Sequence, residues 1–342
     1  MSRPGPAPDA PLAVALGDPA GIGPEIIVDA YASGSALGHP FFVVGGPQVL
    51  RAAAEARGID VTIVPIGEPG EAMFAFSAGL PVLAGLDAPY TPGAPTIEGA
   101  KLALASLQWA TKFTLGGVAS ALVTAPIAKA QLAAIGFDYP GQTEFLADAC
   151  AKPYRDAVMM LAGPSLRTVP LTVHVALAEV PTLLSAELIV HKARVVSAAL
   201  TRDFGIAKPR LAVAGLNPHA GEGGQFGDEE ERMIAPAIRE LTAAGLDVVG
   251  PIPGDALFTP RRRQTYDAAL CMYHDQALIP LKALEVDDGV NVTLGLPIVR
   301  TSPDHGTAFD IAGNRLADPG AMAAALRMAA QCAGLRAANA DG

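Results

Sequence analysis

Cysteine is scarce: Cys150, Cys271 and Cys332 are the only three in 342 residues, an odd number with no Cys-x-x-Cys pair. A disulfide framework is therefore not expected, and a reducing cytoplasm is the natural compartment. Positive charge is also short, with 24 Lys and Arg against 34 Asp and Glu, a formal net charge of −10. That balance argues against nucleic acid or an anionic membrane as the main partner. A local basic site for a small anion is still compatible with it, and Lys282, Arg300 and the Arg261-Arg262-Arg263 run are its candidates. No apolar run reaches the roughly 18 residues of a membrane span. The stretch from Met1 to Asp9 is rich in Pro and Ala but lacks the positive start and apolar core of a signal peptide. A soluble, cytoplasmic protein is expected.

Charged residues make up 17% of the chain and hydrophobic ones 51%, so a large buried core is affordable and disorder is not expected beyond the termini. Short apolar runs alternate with helical patterns. Leu12–Leu16, Phe41–Val44, Val61–Val64 and Ala119–Thr124 read as strands; Pro24–Ala32, Gln48–Ala56, Thr96–Phe113, Leu188–Arg202 and Glu229–Ala244 read as helices. This alternation predicts an α/β fold of two domains, each an α/β/α arrangement around a mostly parallel sheet. Turn-rich clusters at Gly136–Gly141 and Asp287-Asp288-Gly289 suggest the boundaries. Residues 1–135 with 290–342 would form a cofactor-side domain, and 136–289 a metal, substrate and dimerisation domain.

Three of the six histidines share one context. His174, His219 and His274 each follow an apolar run where it gives way to a polar or glycine-rich turn. Ligands of open α/β sheets bind at the carboxyl ends of strands, so these side chains point towards a common crevice. Three imidazoles with an open coordination position suit a catalytic cation. A single histidine in such a place is more often a capped or hydrogen-bonded scaffold residue than a ligand.

Other motifs occupy similar places. Gly17-Asp18-Pro19-Ala20-Gly21-Ile22-Gly23-Pro24-Glu25 follows a strand and opens a helix, with Pro24 suited to the first helical position. It lacks the third glycine of a dinucleotide fingerprint, and is either a binding loop or a tight strand–helix turn. Thr124-Ala125-Pro126-Ile127-Ala128-Lys129 and Tyr139-Pro140-Gly141-Gln142-Thr143-Glu144 either face a substrate or cap helices. Lys282, Asn291 and Arg300 follow His274; Arg300 offers a planar fork for phosphate or carboxylate. The polar loop from Thr301 to Gly313 is long enough to wrap a nucleotide.

These stretches carry a resemblance. GDPAGIGPE, GLNPHAGEGG, MYHDQ and GVNVTLGLPIVRTSPDHGTAFDIAG closely resemble the 4-hydroxythreonine-4-phosphate dehydrogenase family, from about Leu12 to Leu335. The first and last also resemble the wider isocitrate and isopropylmalate dehydrogenase fold. The resemblance implies an NAD-dependent enzyme of pyridoxine phosphate biosynthesis, with NADP as the alternative cofactor. It makes His174, His219 and His274 the ligands of a divalent metal (zinc, magnesium or cobalt), in a homodimer whose active site is shared between subunits. Gln142, Thr143, Lys282, Asn291 and Arg300 fall at substrate-binding positions, with Lys282 and Asp275 as catalytic or orienting groups. Gly23, Glu25, Asp304, His305, Gly306 and Asp310 fall on the cofactor side. The chain departs from the family at Gln142, where a histidine is usual, and at Ala277, where a glycine is usual. Gln142 donates a hydrogen bond but carries no proton or charge.

The implied reaction oxidises 4-phosphohydroxy-L-threonine to a 3-oxo acid that loses carbon dioxide, giving 3-amino-2-oxopropyl phosphate. Two alternatives stand beside it: a dehydrogenase of another phosphorylated hydroxy acid, such as 4-phospho-D-threonate or 4-phospho-D-erythronate, and a phosphate acyltransferase of related fold.

Overall fold

The computed structural model describes residues 10–34, 38–285 and 287–340. Among the described residues twelve strands run in chain order: β1 (Leu12–Ala15), β2 (Phe41–Val44), β3 (Ile63–Ile66), β4 (Leu80–Leu83), β5 (Leu122–Thr124), β6 (Val158–Ala162), β7 (Arg167–Pro170), β8 (Arg210–Ala214), β9 (Asp247–Ile252), β10 (Ala268–Cys271), β11 (Val290–Leu294) and β12 (Arg300–Pro303). They belong to two compact units, one of residues 1–154 and 296–342, the other of 155–295.

In the first unit the strands lie in the order β3-β4-β2-β1-β5-β12, and every pairing is parallel. Its central strands β1 and β2 are buried at every residue, as continuous apolar runs covered on both faces must be. Helices Gly23–Ala32, Pro47–Arg57, Ile97–Leu115 and Gly320–Ala340 supply the crossovers and covering layers. Thr96 caps the third of these, its hydroxyl accepting from the Gly99 N–H at 3.0 Å.

The second unit is mixed. Strands β7, β10, β8 and β9 are parallel, while β6 pairs antiparallel with both β7 and β11. Helix Ala186–Phe204 starts at a Ser185 cap and ends at Gly205 in the left-handed region. The segment read as one helix over Glu229–Ala244 instead opens with a π-helical turn, Glu230–Ile234, before the α-helix Ala235–Ala243.

The units divide at Tyr154/Arg155 and Gly295/Leu296, later in the chain than the turn clusters suggest. Packing explains both positions. Phe137 joins Ala100, Ala103 and Leu132 in a core cluster against which Tyr139 and Phe145 pack, so the segment after Gly136 stays with the first unit. The run at 290–294 is β11, whose antiparallel ladder to β6 ties it to the second. Among the described residues no helix is long and apolar enough to cross a membrane.

Candidate functional site

In the second unit β7, β10 and β8 lie side by side, and their carboxyl ends lead into the segments bearing His174, His274 and His219 respectively. The His174 and His274 rings stand 5.7 Å apart, centroid to centroid. They line a cavity of about 230 Å³ with Thr172, Val175, Val180, Tyr273 and Asp275. His274 is the first residue of helix His274–Glu285, and its Nδ1 lies 2.7 Å from Asp275 Oδ1. A carboxylate beside Nδ1 is the kind of partner that fixes the ring of a metal-binding imidazole and leaves Nε2 as the ligating atom.

Side-chain ties set the spacing of these strand ends. Thr172 donates to the Met272 carbonyl at 2.8 Å, and the Leu171 N–H to the Cys271 carbonyl at 2.7 Å. Gln276 bridges two strand ends: its Oε1 accepts from the Met272 N–H at 2.6 Å, and its Nε2 donates to the Gly215 carbonyl at 2.8 Å. Lys192, from helix Ala186–Phe204, donates to the carbonyls of Pro170 and Leu171 at the exit of β7. Burial lowers its ammonium to about 8.

The third histidine stands apart. The His219 ring lies against Phe226 at 6.1 Å, and among the described residues no three His, Cys, Asp or Glu side chains are placed to hold one metal ion. The expected convergence of three imidazoles is therefore reduced, within one chain, to the pair His174 and His274. The reason is local: His219 lies five residues beyond β8 on a loop that curls through left-handed backbone, whereas His274 follows β10 almost directly. Both His174 and His219 hold positive φ, 53° and 52°, uncommon for residues with a Cβ and a recurring mark of functional sites. The donor chemistry suits a divalent cation: two imidazoles, one beside a carboxylate, at a cavity. Lys282 is exposed, about 12 Å along the helix axis from His274. Asn291 is half-buried on β11.

The first unit holds a buried polar cluster around Arg300. Arg300, at the start of β12, is only 4% exposed, and its Nη2 donates to Thr124 Oγ1 at 2.7 Å and Gln142 Oε1 at 3.2 Å. Gln142 Nε2 in turn donates to the Ala125 carbonyl at 3.2 Å, so both ends of the amide are engaged. Burial lowers the Arg300 guanidinium to about 10, leaving it cationic at neutral pH. Thr143, half-buried, follows Gln142 on helix Gln142–Ala149, whose N-terminal cap is Gly141. The charge of this cluster and its helix N-terminus suit a phosphate. The Arg261-Arg262-Arg263 run has no part in it, lying on a separate four-residue helix, Pro260–Arg263, in the second unit.

The two loops read as a nucleotide cradle meet within the first unit. The Ile22 N–H donates to the Thr307 carbonyl at 3.0 Å. A Cβ at Gly21 would stand 2.7 Å from that carbonyl oxygen, so the position demands glycine. His305, Gly306 and Asp310 are exposed and Asp304 half-buried, placing them where a ligand can reach. Glu25, expected on the cofactor side, faces the interior. It is wholly buried, accepting from the Gly313 N–H at 2.6 Å and the Tyr90 hydroxyl at 3.3 Å, and it braces the loop from beneath. Gly23 is buried too, at the start of its helix. Arg57 completes the brace, 3.7 Å from Glu25 and hydrogen-bonded to Asp29 and the Ala317 carbonyl.

Sequence reasoning missed Gln276, Glu230 and Lys192, all of which tie backbone around the histidines. Gln276 alone carried a signal, as part of the MYHDQ run.

The model of the family described as Pyridoxal phosphate biosynthetic protein PdxA matches residues 37–329. A 4-hydroxythreonine-4-phosphate dehydrogenase of Erythrobacter litoralis is 64% identical over 331 residues, 96% of this chain and 98% of that protein. The crystal structure of a 4-hydroxythreonine-4-phosphate dehydrogenase from Klebsiella pneumoniae superposes with a TM-score of 0.84 at 38% identity, covering 95% of this chain and 99% of that one. A terephthalate 1,2-cis-dihydrodiol dehydrogenase from Burkholderia xenovorans superposes at 0.64 and 31% identity, covering 94% and 98%. The chain belongs to the PdxA family, and it is an enzyme of the oxidoreductase class to which these dehydrogenases belong.

Proposed function

We propose that the chain catalyses NAD-dependent, divalent-metal-dependent oxidation of 4-phosphohydroxy-L-threonine, followed by decarboxylation to 3-amino-2-oxopropyl phosphate, in the cytoplasmic synthesis of pyridoxal phosphate. The names of the relatives support the substrate, and the paired imidazoles His174 and His274 carry the chemistry. His174 and His274 of one subunit, with His219 of a second copy, would hold the cation, which makes the enzyme a homodimer with a shared site. When bound, such a cation supplies Lewis acidity that eases loss of the C3 hydroxyl proton and later polarises the C3 carbonyl.

The remaining roles fall to side chains. Asp275 Oδ1 holds the Nδ1 proton of His274 and keeps Nε2 free for the metal. The C3 hydroxyl proton passes to a water or to the neutral form of Lys282 Nζ. Arg300, preset by Thr124 and Gln142, receives the phosphate, with Thr143 and Asn291 as further polar contacts. Asp304, His305, Gly306 and Asp310 hold the adenosine end of NAD, which accepts the hydride from C3. Reduction of NAD by 4-phosphohydroxy-L-threonine, lost on chelation and restored by zinc, magnesium or cobalt, is the expected result. Turnover that survives chelation would sink the proposal.

A second reading rests on Gln142. A neutral amide locked between Arg300 and the Ala125 carbonyl, where the family has a histidine, suits another phosphorylated hydroxy acid such as 4-phospho-D-threonate. A substrate panel at saturating cofactor decides between them.

A further inference from the structure

The loop carrying His219 has an unusual backbone. His219, Ala220, Gly221 and Glu222 are consecutive residues at positive φ, 52°, 52°, 80° and 43°, and three of the four bear a Cβ. Each such non-glycine residue is strained in isolation, its Cβ crowding the backbone. Surrounding contacts must hold the curl.

Backbone bonds close the curl itself, the Ala220 N–H donating to the Asn217 carbonyl at 3.1 Å and the Phe226 N–H to the Gly221 carbonyl at 3.2 Å, and one side chain anchors its entry at Leu216 and Asn217. Glu230, only 3% exposed, sends its carboxylate into the loop from the first residue of the π-helical turn. Its Oε1 accepts from the backbone N–H groups of Leu216 and Asn217, both at 2.8 Å. Its Oε2 accepts from Asn217 Nδ2 at 2.9 Å. The same amide nitrogen donates to Glu229 Oε2 at 2.7 Å. The loop closes round this carboxylate: a Cβ at Gly221 would meet Glu230 Oε2 at 2.8 Å, and one at Gly215 would meet Oε1 at 3.2 Å. A π turn accommodates an extra residue in a helix and so shifts the side chains at its start, a device that recurs at functional sites.

We propose that Glu230 is a positioning residue for the cation site: its carboxylate fixes the loop conformation that presents His219. The claim rests on the reading of His219 as a metal ligand. A purely structural buried carboxylate would lower stability when altered without selectively weakening metal binding; a positioning residue changes metal affinity in the folded protein.

The test uses full-length protein stripped of metal, as wild type and as Glu230→Gln. Cobalt(II) is titrated while its visible absorption is followed, and hydrogen exchange is measured over 215–222 in the metal-free state. Glu230→Gln should bind cobalt 10- to 100-fold more weakly, the range seen when groups orienting metal ligands are removed. Exchange over 215–222 should rise while the rest of the second unit stays protected. Cobalt affinity within twofold of wild type, in a folded variant, overturns the inference. If Glu230→Gln does not fold, Asn217→Ala reads the same claim, because it deletes only the side-chain donor; a severalfold loss of affinity supports it and no loss overturns it. Wild-type protein that takes up no cobalt would instead sink the metal reading itself, and this claim with it.

Discussion

Glu25 and Gly313 stand 288 residues apart in the chain, yet the Gly313 N–H donates to Glu25 Oε1 at 2.6 Å. The bond fastens the end of the polar loop 301–313 to the helix that follows the first glycine turn, and Tyr90 and Arg57 brace the same carboxylate. A hydrogen bond to a charged group contributes about 1.5–3 kcal/mol. Glu25→Gln should therefore loosen the loop more than the fold. The Michaelis constant for NAD is expected to rise about tenfold or more with kcat changed less than threefold, read by initial rates at saturating substrate. Equal effects on both constants would contradict this division of labour.

Arg300 tests the phosphate assignment. Its guanidinium is buried and already shaped by Thr124 and Gln142, so Lys in its place keeps the charge but loses the planar fork. Arg300→Lys should raise the Michaelis constant for the phosphorylated substrate about 10- to 100-fold, equivalent to the same 1.5–3 kcal/mol, and leave that for NAD nearly unchanged. A variant that binds both as wild type does would remove Arg300 from the phosphate site.

Much of this was legible in the sequence, for identifiable reasons. Phe41–Val44 reads as a strand and is one to the residue, because a central parallel strand is apolar on both faces. The edge strand β3 sits at Ile63–Ile66 rather than Val61–Val64, since a half-exposed edge leaves the pattern ambiguous. His174 and His274 were readable from strand–turn context, and the structure brings them together. The roles of Glu230 and Gln276 were not, although Gln276 lies in the MYHDQ run, because they come from backbone groups brought near by tertiary packing. In sequence Glu230 is one acidic residue in an exposed-looking Asp-Glu-Glu-Glu run.

Lys192 gives a pH prediction with a definite sign. Burial lowers its folded value to about 8, below the 10.5 of an unhindered lysine. Between those values the unfolded chain binds the extra proton, so stability rises as pH climbs from 8 towards 10.5, while below 8 the cost of burying the charge is fully present. The whole effect is of order 3 kcal/mol. Urea unfolding at pH 7 and pH 9.5 should show a rise for wild type that is smaller for Lys192→Met, which has no proton to lose. Identical differences in the two proteins would show that the ammonium is hydrated in the fold.

The division of the histidines makes the sharpest prediction. If one subunit supplies His174 and His274 and the other His219, then His174→Ala and His219→Ala homodimers are each inactive, because every site lacks one ligand. Mixing them in equal amounts and allowing subunits to exchange makes about half the dimers mixed, by random pairing of a twofold assembly. In each mixed dimer one site carries both lesions and the other carries neither. Activity should then recover to about a quarter of wild type, as one intact site in two among half the dimers. A site built wholly within one chain gives no recovery on mixing, because every chain present is defective. Steady-state assays before and after exchange therefore separate a shared cation site from a private one, without requiring that the bound metal be known.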